Sequence, residues 1–512
     1  MKKVIKKTIV SGIIKKLILA LIVFTSNIST AQIDRSIPDP GPAPEIKFKS
    51  PITKKLNNNL TVMIVVDNKL PTASASLIID NPPILSKDKS GLRSLLSSSL
   101  GKGNKYQSKD EFIEEKDFMG SSINYNSSGG SLSSLSRYFE RTLTMFAQGA
   151  FFPEFSQEEF DKEKTKLIES LKVNEKNAST IARRVEDIIA FGNNHPRSEY
   201  TTQGSVSKIE LNDITNFYST YFRPNNAYLV IIGDVDADRT IEVAEELFGN
   251  WENSISLNSL FGDESVNSFS EPEISDKISI HVVDVPNSAN VEVTFQNIIN
   301  RTLKDDSYFS ANIANRVLGA RPESRLESVI REDRGFAYYE RSILPASSET
   351  KTKFQARTTV RDEVVDSAVV EIYNQLKKMS NIPITDEELE NAKSGYFGSF
   401  AMSMENPVTI ANQALNIRTE NLPENFYSTF LENINKVSKK EIIDSSKEFV
   451  LADNSQIIIT GKVGSILDNI ENIYIEGNKI PVFYHDEYGN ITERPDYSVD
   501  SNITAEGIIN RY

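Results

Sequence analysis

Residues 91–104 read GLRSLLSSSLGKGN, and the rest of the chain is best understood from this stretch. Its leucines recur at helical spacing, which predicts a short helix with one apolar face. These are Leu92, Leu95, Leu96 and Leu100. The opposite side of the same helix is formed by hydroxyl side chains. The stretch therefore predicts a helix that packs through leucines and exposes serines.

Three of these serines, Ser94, Ser97 and Ser98, stand at positions i, i+3 and i+4. A helix with His, Glu and His at such positions can hold zinc with two imidazoles, while the carboxylate takes a proton from the metal-bound water. A neutral hydroxyl is a poor zinc ligand and a poor base. Serines on a helix face are in general small polar surface, so any further meaning depends on the rest of the chain.

The chain has 512 residues, 39% of them hydrophobic, which is enough for several cores and predicts two to four domains. It contains no cysteine, which excludes a lipoprotein anchor and a disulfide framework. The formal net charge is -14. Nucleic acid and anionic membrane surfaces are therefore not expected as partners.

Residues 1–31 have the pattern of a cleaved secretory signal peptide. Six lysines precede the apolar run 17–24, and small residues stand at 29 and 31, before a cut ahead of Gln32. The apolar run is too short to cross a bilayer, although an uncleaved N-terminal anchor is an open alternative. Residues 32–47 predict an extended, proline-rich leader. The expected location is the periplasm or the outside of the cell.

Two halves of the chain repeat one pattern of strands and helices. Leu100-Gly101 corresponds to Leu318-Gly319, 218 residues later, and Ile232-Gly233 corresponds to Thr460-Gly461, 228 residues later. Similar offsets at both ends of a unit indicate duplication. We predict an α+β protein with homologous domains at 48–251 and 273–477, joined by a polar linker at 252–272. The tail 478–512 contains a turn at 488–490 between β-like runs, which favours a hairpin.

At this point the sequence resembles the pitrilysin or insulinase family of zinc peptidases over roughly residues 48–472. Four segments carry the resemblance, in the order of the family: GLRSLLSSSLGKGN, FYSTYFRPNNAYLVIIGDVD (217–236), ESRLESVIREDRGFAYYERS (323–342) and TDEELENAKSGYFGSF (385–400). The resemblance implies two α/β-roll domains, each a sheet with helices packed on one face, that form part of a clamshell.

Active members of the family carry an inverted zinc motif, His-x-x-Glu-His, and a distal Glu. The resemblance puts the first His on Ser94, the Glu on Ser97 and the second His on Ser98. The distal ligand falls on Ser170, or on Glu169 after a shift of one residue. One carboxylate cannot hold zinc tightly, so no cofactor is expected on this chain. Of the three histidines, His195, His281 and His485, none is near this helix in sequence, and His195 is expected to be a structural loop residue.

The family also uses an Arg and a Tyr seven residues later, from the second domain of the facing half, to hold the substrate and stabilise the oxyanion. The resemblance puts this pair on Arg331 and Tyr338. Both side chains donate hydrogen bonds toward developing negative charge. The ordinary alternative is that Arg331 is a surface residue at a helix end and Tyr338 a half-buried strand residue.

Loss of the metal motif with retention of Arg331 and Tyr338 resembles the non-catalytic subunit of two-component peptidases of the family. The resemblance implies a zinc-bearing homologue as partner, peptides as substrates and no stable membrane span. The strand at 131–135 is a candidate edge for strand addition by an extended peptide.

Three alternatives remain open. One is a peptide-binding or scaffold protein of this fold without any catalytic contribution. Another is an independent peptidase that uses unfamiliar residues. A homodimer is a further alternative to the heteromeric assembly.

Overall fold

A computed structural model of the chain describes residues 50–252, 269–286 and 288–497. The predicted signal peptide and leader, at 1–31 and 32–47, lie outside the described residues. So do most of the predicted linker and the end of the tail.

The first half contains a six-stranded mixed sheet in the order β1-β2-β6-β3-β5-β4. β2 and β6 run parallel, and the other neighbours are antiparallel. The strands are β1 (Ile52–Lys55), β2 (Thr61–Val66), β3 (Thr72–Ile79), β4 (Ser122–Asn126), β5 (Gly129–Leu135) and β6 (Ala227–Gly233).

Helices connect these strands, and several begin at side-chain caps that the sequence predicts. Ser108 and Glu111 form a capping box, and the Ser156 hydroxyl accepts a hydrogen bond from the backbone of Glu159. The helices are α1 (Leu92–Ser99), α2 (Lys109–Phe118), α3 (Phe139–Phe151), α4 (Gln157–Asn174), α5 (Ala178–Phe191), α6 (Gln203–Ser207), α7 (Leu211–Tyr221) and α8 (Ala237–Phe248).

The second half contains a seven-stranded mixed sheet in the order β15-β14-β7-β11-β8-β10-β9, and β12 pairs separately with β13. These strands are β7 (Ser279–Asp284), β8 (Val291–Ile299), β9 (Ala337–Ile343), β10 (Thr352–Val360), β11 (Gln456–Gly461), β12 (Tyr474–Ile475), β13 (Asn478–Lys479), β14 (Val482–His485) and β15 (Ile491–Thr492). β14 and β15 form a hairpin whose first strand lies parallel to β7.

The helices of the second half include two π-helical turns, Arg316–Ala320 and Glu327–Asp333. The α-helices are α9 (Tyr308–Asn315), α10 (Val365–Asn381), α11 (Asp386–Ser403), α12 (Pro407–Thr419), α13 (Phe430–Lys436), α14 (Lys439–Phe449) and α15 (Leu467–Glu471). Short 3-10 turns occur in both halves, at Lys87–Lys89, Ser136–Tyr138, Asp362–Val364 and Ala452–Asn454.

The two sheets share one topology. The shared part is β2–β6 in the first sheet and β7–β11 in the second. In each of these sets the first strand lies parallel to the last, and the second, fourth and third strands follow in antiparallel order. Gly233 ends β6 and Gly461 ends β11, with φ of 136° and 159°. A Cβ atom would lie 2.3 Å from the Thr72 carbonyl oxygen at Gly233 and 2.9 Å from the Asn290 carbonyl oxygen at Gly461. The same close approach at corresponding sites supports the predicted duplication.

Each sheet is covered on one face by helices of its own half and on the other by a helix of the opposite half. In β2, Val62 and Ile64 join the core formed with α1, α3 and α8. The alternate residues Met63 and Val65 pack instead with Ala411 of α12. Because successive strand residues point to opposite faces, α12 lies on the second face of the first sheet.

The second sheet receives α5 in the same way. Ile181 and Val185 of α5 pack with Val283 and Ile458, and Phe191 packs with Ile298. The exchange of α5 and α12 therefore buries both sheets on both faces. The α+β class with open mixed sheets is confirmed, whereas the predicted domain boundaries stay a prediction.

A buried carboxylate fixes α5 on the second sheet. Glu186 is 2% exposed. It accepts hydrogen bonds from Thr294 Oγ1 at 2.8 Å, Gln355 Nε2 at 2.9 Å and Arg357 Nη2 at 2.6 Å. All three donors belong to the opposite half of the chain, so this contact joins the halves through a fully satisfied charge.

Candidate functional site

The helix α1 forms where the leucine spacing predicts it. Leu92, Leu95 and Leu96 are buried in the first core. Gly91 begins the helix with φ of 107°, and a Cβ there would lie 2.8 Å from Thr201 Cγ2. The buried leucines, and a glycine at a position with no space for a side chain, therefore fix the orientation of α1 and of its serine side.

The three serines that replace the zinc motif are not gathered for metal binding. Ser94 is exposed. The Ser97 hydroxyl donates to the Arg93 carbonyl at 2.7 Å and accepts from the Ser127 backbone N–H at 2.9 Å. Ser98 donates to the Leu95 carbonyl at 3.1 Å. Two hydroxyls are therefore used to cap backbone groups, and Ser97 also holds the turn between β4 and β5.

The position of the distal ligand lies on α4, which packs against α1. Ser170 is exposed and accepts a hydrogen bond from Asn174 Nδ2 at 3.4 Å, and Glu169 is exposed. The carboxylate that does link α4 to the α1 region is Glu163, which is buried. Lys102, in the loop after α1, lies 3.0 Å from Glu163 Oε1. An ammonium group therefore bridges these two elements.

The pKa of Glu163 reflects this pairing. Burial acts to raise the pKa of its carboxyl, but hydrogen bonds from Lys166 and Lys102 outweigh burial and hold it below the ordinary value. The carboxylate is thus neutralised by protein cations.

The residues at the motif positions do not fit zinc. Neutral hydroxyls lack the charge and lone-pair basicity of imidazole or carboxylate, and those of Ser97 and Ser98 are already bonded to backbone carbonyls. Within the part of the chain that the structure describes, no three His, Cys, Asp or Glu side chains come together as a metal site.

The histidines are structural. His195 is buried, stacks on Phe191 at 4.9 Å between ring centroids and accepts the Arg197 backbone N–H through Nδ1. Burial lowers its pKa. His281 and His485 hydrogen-bond to each other at 2.9 Å between β7 and β14. All three are thus engaged in packing or hydrogen bonds within the protein.

Arg331 lies in the second π-helical turn, which packs against β9. Its side chain is 52% exposed, and Nη1 lies 2.9 Å from Glu327 Oε1. Glu340, on β9, is a nearby carboxyl whose pKa is raised by burial and by repulsion from Glu327, against the attraction of Arg331. The sequence prediction named neither carboxylate, although the i, i+4 spacing of Glu327 and Arg331 indicates their pairing.

Tyr338 lies in a β-bulge at the start of β9, the edge strand of the second sheet. Ala337 pairs with Val360 and Tyr339 pairs with Thr359, so Tyr338 is the additional residue between them. A bulge bends a strand and redirects its side chains. Tyr338 is 89% exposed and is not the half-buried strand residue of the ordinary alternative. Its catalytic role, like that of Arg331, stays a prediction.

The candidate edge at 131–135 is wrong. β5 lies between β3 and β4, and Ser131 pairs with Ser76 on one side and Asn124 on the other. The run of small polar residues favoured an exposed edge. In the structure, a tight turn after β4 lets β4 and β5 pair as a hairpin, so β5 does not lie at the edge of the sheet. The edge strands are β1 and β4 in the first sheet, and β15 and β9 in the second.

Part of this chain is similar to known proteins of one family. Residues 208–396 match the family model of the peptidase M16 inactive domain. A Helicobacter pylori protein named "Non-peptidase homolog YmxG" is 27% identical over 376 residues, which cover 70% of this chain and 82% of that protein. The chain is thus similar to the pitrilysin (M16) family, through a domain model described as inactive and a relative named as a non-peptidase, which supports the prediction that it is not catalytic alone.

More distant relatives include a Bacillus subtilis protein named "Uncharacterized zinc protease YmxG", 22% identical over 62% of this chain and 75% of that protein. Among solved structures, a peptidase M16 inactive domain from Pseudomonas fluorescens matches with a TM-score of 0.69 and 18% identity, covering 80% of this chain and 98% of that one. A protease from Helicobacter pylori matches with a TM-score of 0.69 and 17% identity, covering 81% and 99%. These structures support the fold.

Proposed function

We propose that this chain is the zinc-free subunit of a heteromeric zinc peptidase of the periplasm or the extracellular space. A homologue with an intact zinc motif would supply the metal and its base. This chain would supply Arg331 and Tyr338 and part of the chamber that encloses the peptide. No helix within residues that the structure describes is both long and apolar enough to span a membrane.

The observation that carries the proposal is the exposure of Tyr338. A phenol that is 89% exposed contributes little to its own core, and the bulge that redirects it lies at a sheet edge. The arginine of the adjoining π-helical turn is also accessible. Two hydrogen-bond donors presented to the outside suit stabilisation of an oxyanion held by another chain.

A specific contact favours the second candidate function, a peptide-binding or scaffold pseudopeptidase. Glu327 already compensates the charge of Arg331 at 2.9 Å. An exposed ion pair of this kind is weak, about 0–1 kcal/mol, so it does not prevent Arg331 from turning to a substrate. The two functions therefore differ in what Arg331 contributes once the complex has formed.

Reconstitution with the zinc-bearing homologue tests the proposal. We expect Tyr338→Phe and Arg331→Ala each to lower kcat for peptide cleavage by the complex about 100- to 1,000-fold, because each removes one oxyanion donor. Tyr339→Phe, on the same strand, and Arg334→Ala, at the residue that follows the same turn, are matched controls and should leave cleavage unchanged. Steady-state kinetics and a binding assay for the complex give the readouts.

The scaffold function makes the opposite prediction. If the complex assembles and cleaves peptides at the wild-type rate with both Arg331→Ala and Tyr338→Phe, the catalytic contribution is refuted. Chelator-insensitive cleavage by this chain alone would instead support an independent peptidase.

A further inference from the structure

A cavity of about 620 Å³ lies between the first π-helical turn and the N-terminal part of α11. In the shared topology, this turn corresponds to the end of α1, since Leu318-Gly319 matches Leu100-Gly101. The cap Thr385 of α11 likewise corresponds to the cap Ser156 of α4. The second half thus has a cavity at the place where the first half has its serine helix. The volume of the cavity is in the range of small-ligand sites.

Arg316 is fixed in the wall of this cavity without an anionic partner. Its guanidinium carbon lies 4.8 Å from the centre of the Tyr396 ring. A Cβ atom on Gly395 would lie 1.9 Å from Arg316 Nη2, so the glycine provides the space that this guanidinium occupies. Among described residues, no carboxylate lies within ion-pair distance of Arg316. A partly buried cation without a carboxylate is costly unless a ligand compensates it.

Arg321 is the second cation at the cavity, and it also has no ion pair with any described residue. Burial and, less strongly, the charge of Arg321 lower the pKa of Arg316, while Tyr396 opposes them. Two residues further, Glu323 adopts φ of 67°, which is strained for a side chain of this kind. Strain of this type persists where the surrounding structure holds a functional geometry.

A third arginine at the same cavity has its charge compensated by a carboxylate. Arg325 Nε and Nη2 lie 2.6 and 2.9 Å from the two carboxylate oxygens of Glu388. This two-pronged pair is complete. Arg316, which is partly buried, and Arg321, which is exposed, therefore differ from their neighbour in having no carboxylate partner among the described residues.

We propose that Arg316 and Arg321 bind the carboxylate of a peptide C-terminus or of a small organic acid in this cavity. Guanidinium groups match a carboxylate with two parallel hydrogen bonds. A phosphate dianion suits the site less, because the carboxylates of Glu323 and Glu387 also line it. This site belongs to the isolated chain and needs neither a partner nor zinc.

Ligand-observed NMR and calorimetry on the full chain test the proposal with N-acetyl-trialanine, its C-terminal amide, succinate and inorganic phosphate. We expect the peptide acid or succinate to bind and the amide not to bind. The tighter of the two identifies the source of the carboxylate. Arg321→Gln and Gly395→Ala should each weaken binding by about tenfold or more, since each removes or displaces one charge-assisted donor.

Gly398→Ala is the matched control, because it lies on the same helix and a Cβ there meets nothing within 4 Å. Gly395→Ala keeps every charge and displaces only the flexible end of Arg316, so its folding can be checked by circular dichroism. The proposal is overturned if neither carboxylate binds, if the amide binds as well as the acid, if phosphate alone binds, or if Gly395→Ala and Gly398→Ala bind equally.

Discussion

Glu186 couples the two halves of the chain through its hydrogen bonds to the second sheet. Replacement by Ala would leave the Arg357 guanidinium and the Gln355 amide without their acceptor in a buried interface. We expect Glu186→Ala to lower the free energy of unfolding by about 3–5 kcal/mol, the cost of breaking a buried pair from one side. Glu169→Ala, at an exposed carboxylate on α4, should change it by less than about 0.5 kcal/mol. Urea unfolding measures both, and equal stabilities would refute the coupling.

The histidine pair between β7 and β14 has a defined direction of hydrogen bonds. A carbonyl only accepts, so His485 Nδ1 donates to the Gly489 carbonyl at 3.0 Å. His485 Nε2 then accepts from His281 Nδ1, and His281 Nε2 accepts from the Ser279 hydroxyl at 3.0 Å. The His281 ring is neutral in this arrangement.

Burial, and secondarily the charge of His485, lowers the pKa of His281 to about 3. In the unfolded chain His281 has the ordinary pKa of about 6.5, so between pH 3 and pH 6.5 the unfolded chain binds more protons than the folded chain. The stabilisation from the neutral His281 is therefore present above pH 6.5 and is lost as the pH falls toward 3. We expect His281 to account for a loss of roughly 2 kcal/mol between pH 7 and pH 5. His281→Gln should flatten this part of the profile in urea unfolding. An unchanged slope would contradict the assignment.

Among single residues, the sequence predicted that α1 has serines where zinc ligands and a base would be needed. It did not predict the hydrogen bonds that these serine hydroxyls make. The Ser97 bond to the Ser127 backbone joins residues 30 positions apart, and helical spacing carries no information about it. Tyr338 was placed on a strand correctly. Its exposure follows from a bulge, which depends on the register against β10 and cannot be derived from the local sequence.

Among the elements, the C-terminal hairpin joins the tail to both halves. β14 pairs with β7 of the second sheet, while Tyr488 donates to Glu175 Oε1 at 2.9 Å at the end of α4. Arg184 of α5 lies 5.3 Å from the centre of the Tyr488 ring. The tail is thus attached to α5, the helix that crosses from the first half.

Two glycines of nearly equal φ allow the contact between the hairpin and α5 to be tested separately from backbone strain. Gly489 has φ of 81° and Gly477 has φ of 82°, so alanine suffers the same backbone strain at both. A Cβ at Gly489 would lie 2.9 Å from Ile188 Cγ2, whereas at Gly477 it meets nothing within 4 Å. We expect Gly489→Ala to be about 1–3 kcal/mol less stable than Gly477→Ala, the usual cost of overpacking. Thermal unfolding followed by calorimetry compares them, and equal losses would show that the hairpin does not depend on α5.

Helices with capping boxes were predictable because Ser108, Thr385 and Ser438 each stand three residues before a Glu. The helix α12 was not predicted. Its apolar residues form no strong stripe, and it is buried only because it crosses to the first sheet. The π-helical end of α9 also escapes sequence patterns, since it packs against β9 and α11 in contacts that the local sequence does not specify.

For the molecule as a whole, the offsets of 218 and 228 residues predicted the repeated plan, and the two sheets share it. The exchange of α5 and α12 between the halves was beyond the sequence, because amphipathic helices do not specify which sheet they cover. This exchange makes the two halves one packed unit. This packed unit suits a role as one wall of the proposed peptide chamber, which a partner would complete.

A chain with serines at 94, 97, 98 and 170 and no described cluster of metal-ligating side chains should remain free of zinc. Elemental mass spectrometry of the purified protein after dialysis against zinc measures this most directly. We predict no stoichiometric zinc, with unchanged unfolding in the presence of chelator. One zinc ion per chain, lost together with stability on chelation, would contradict a metal-free subunit.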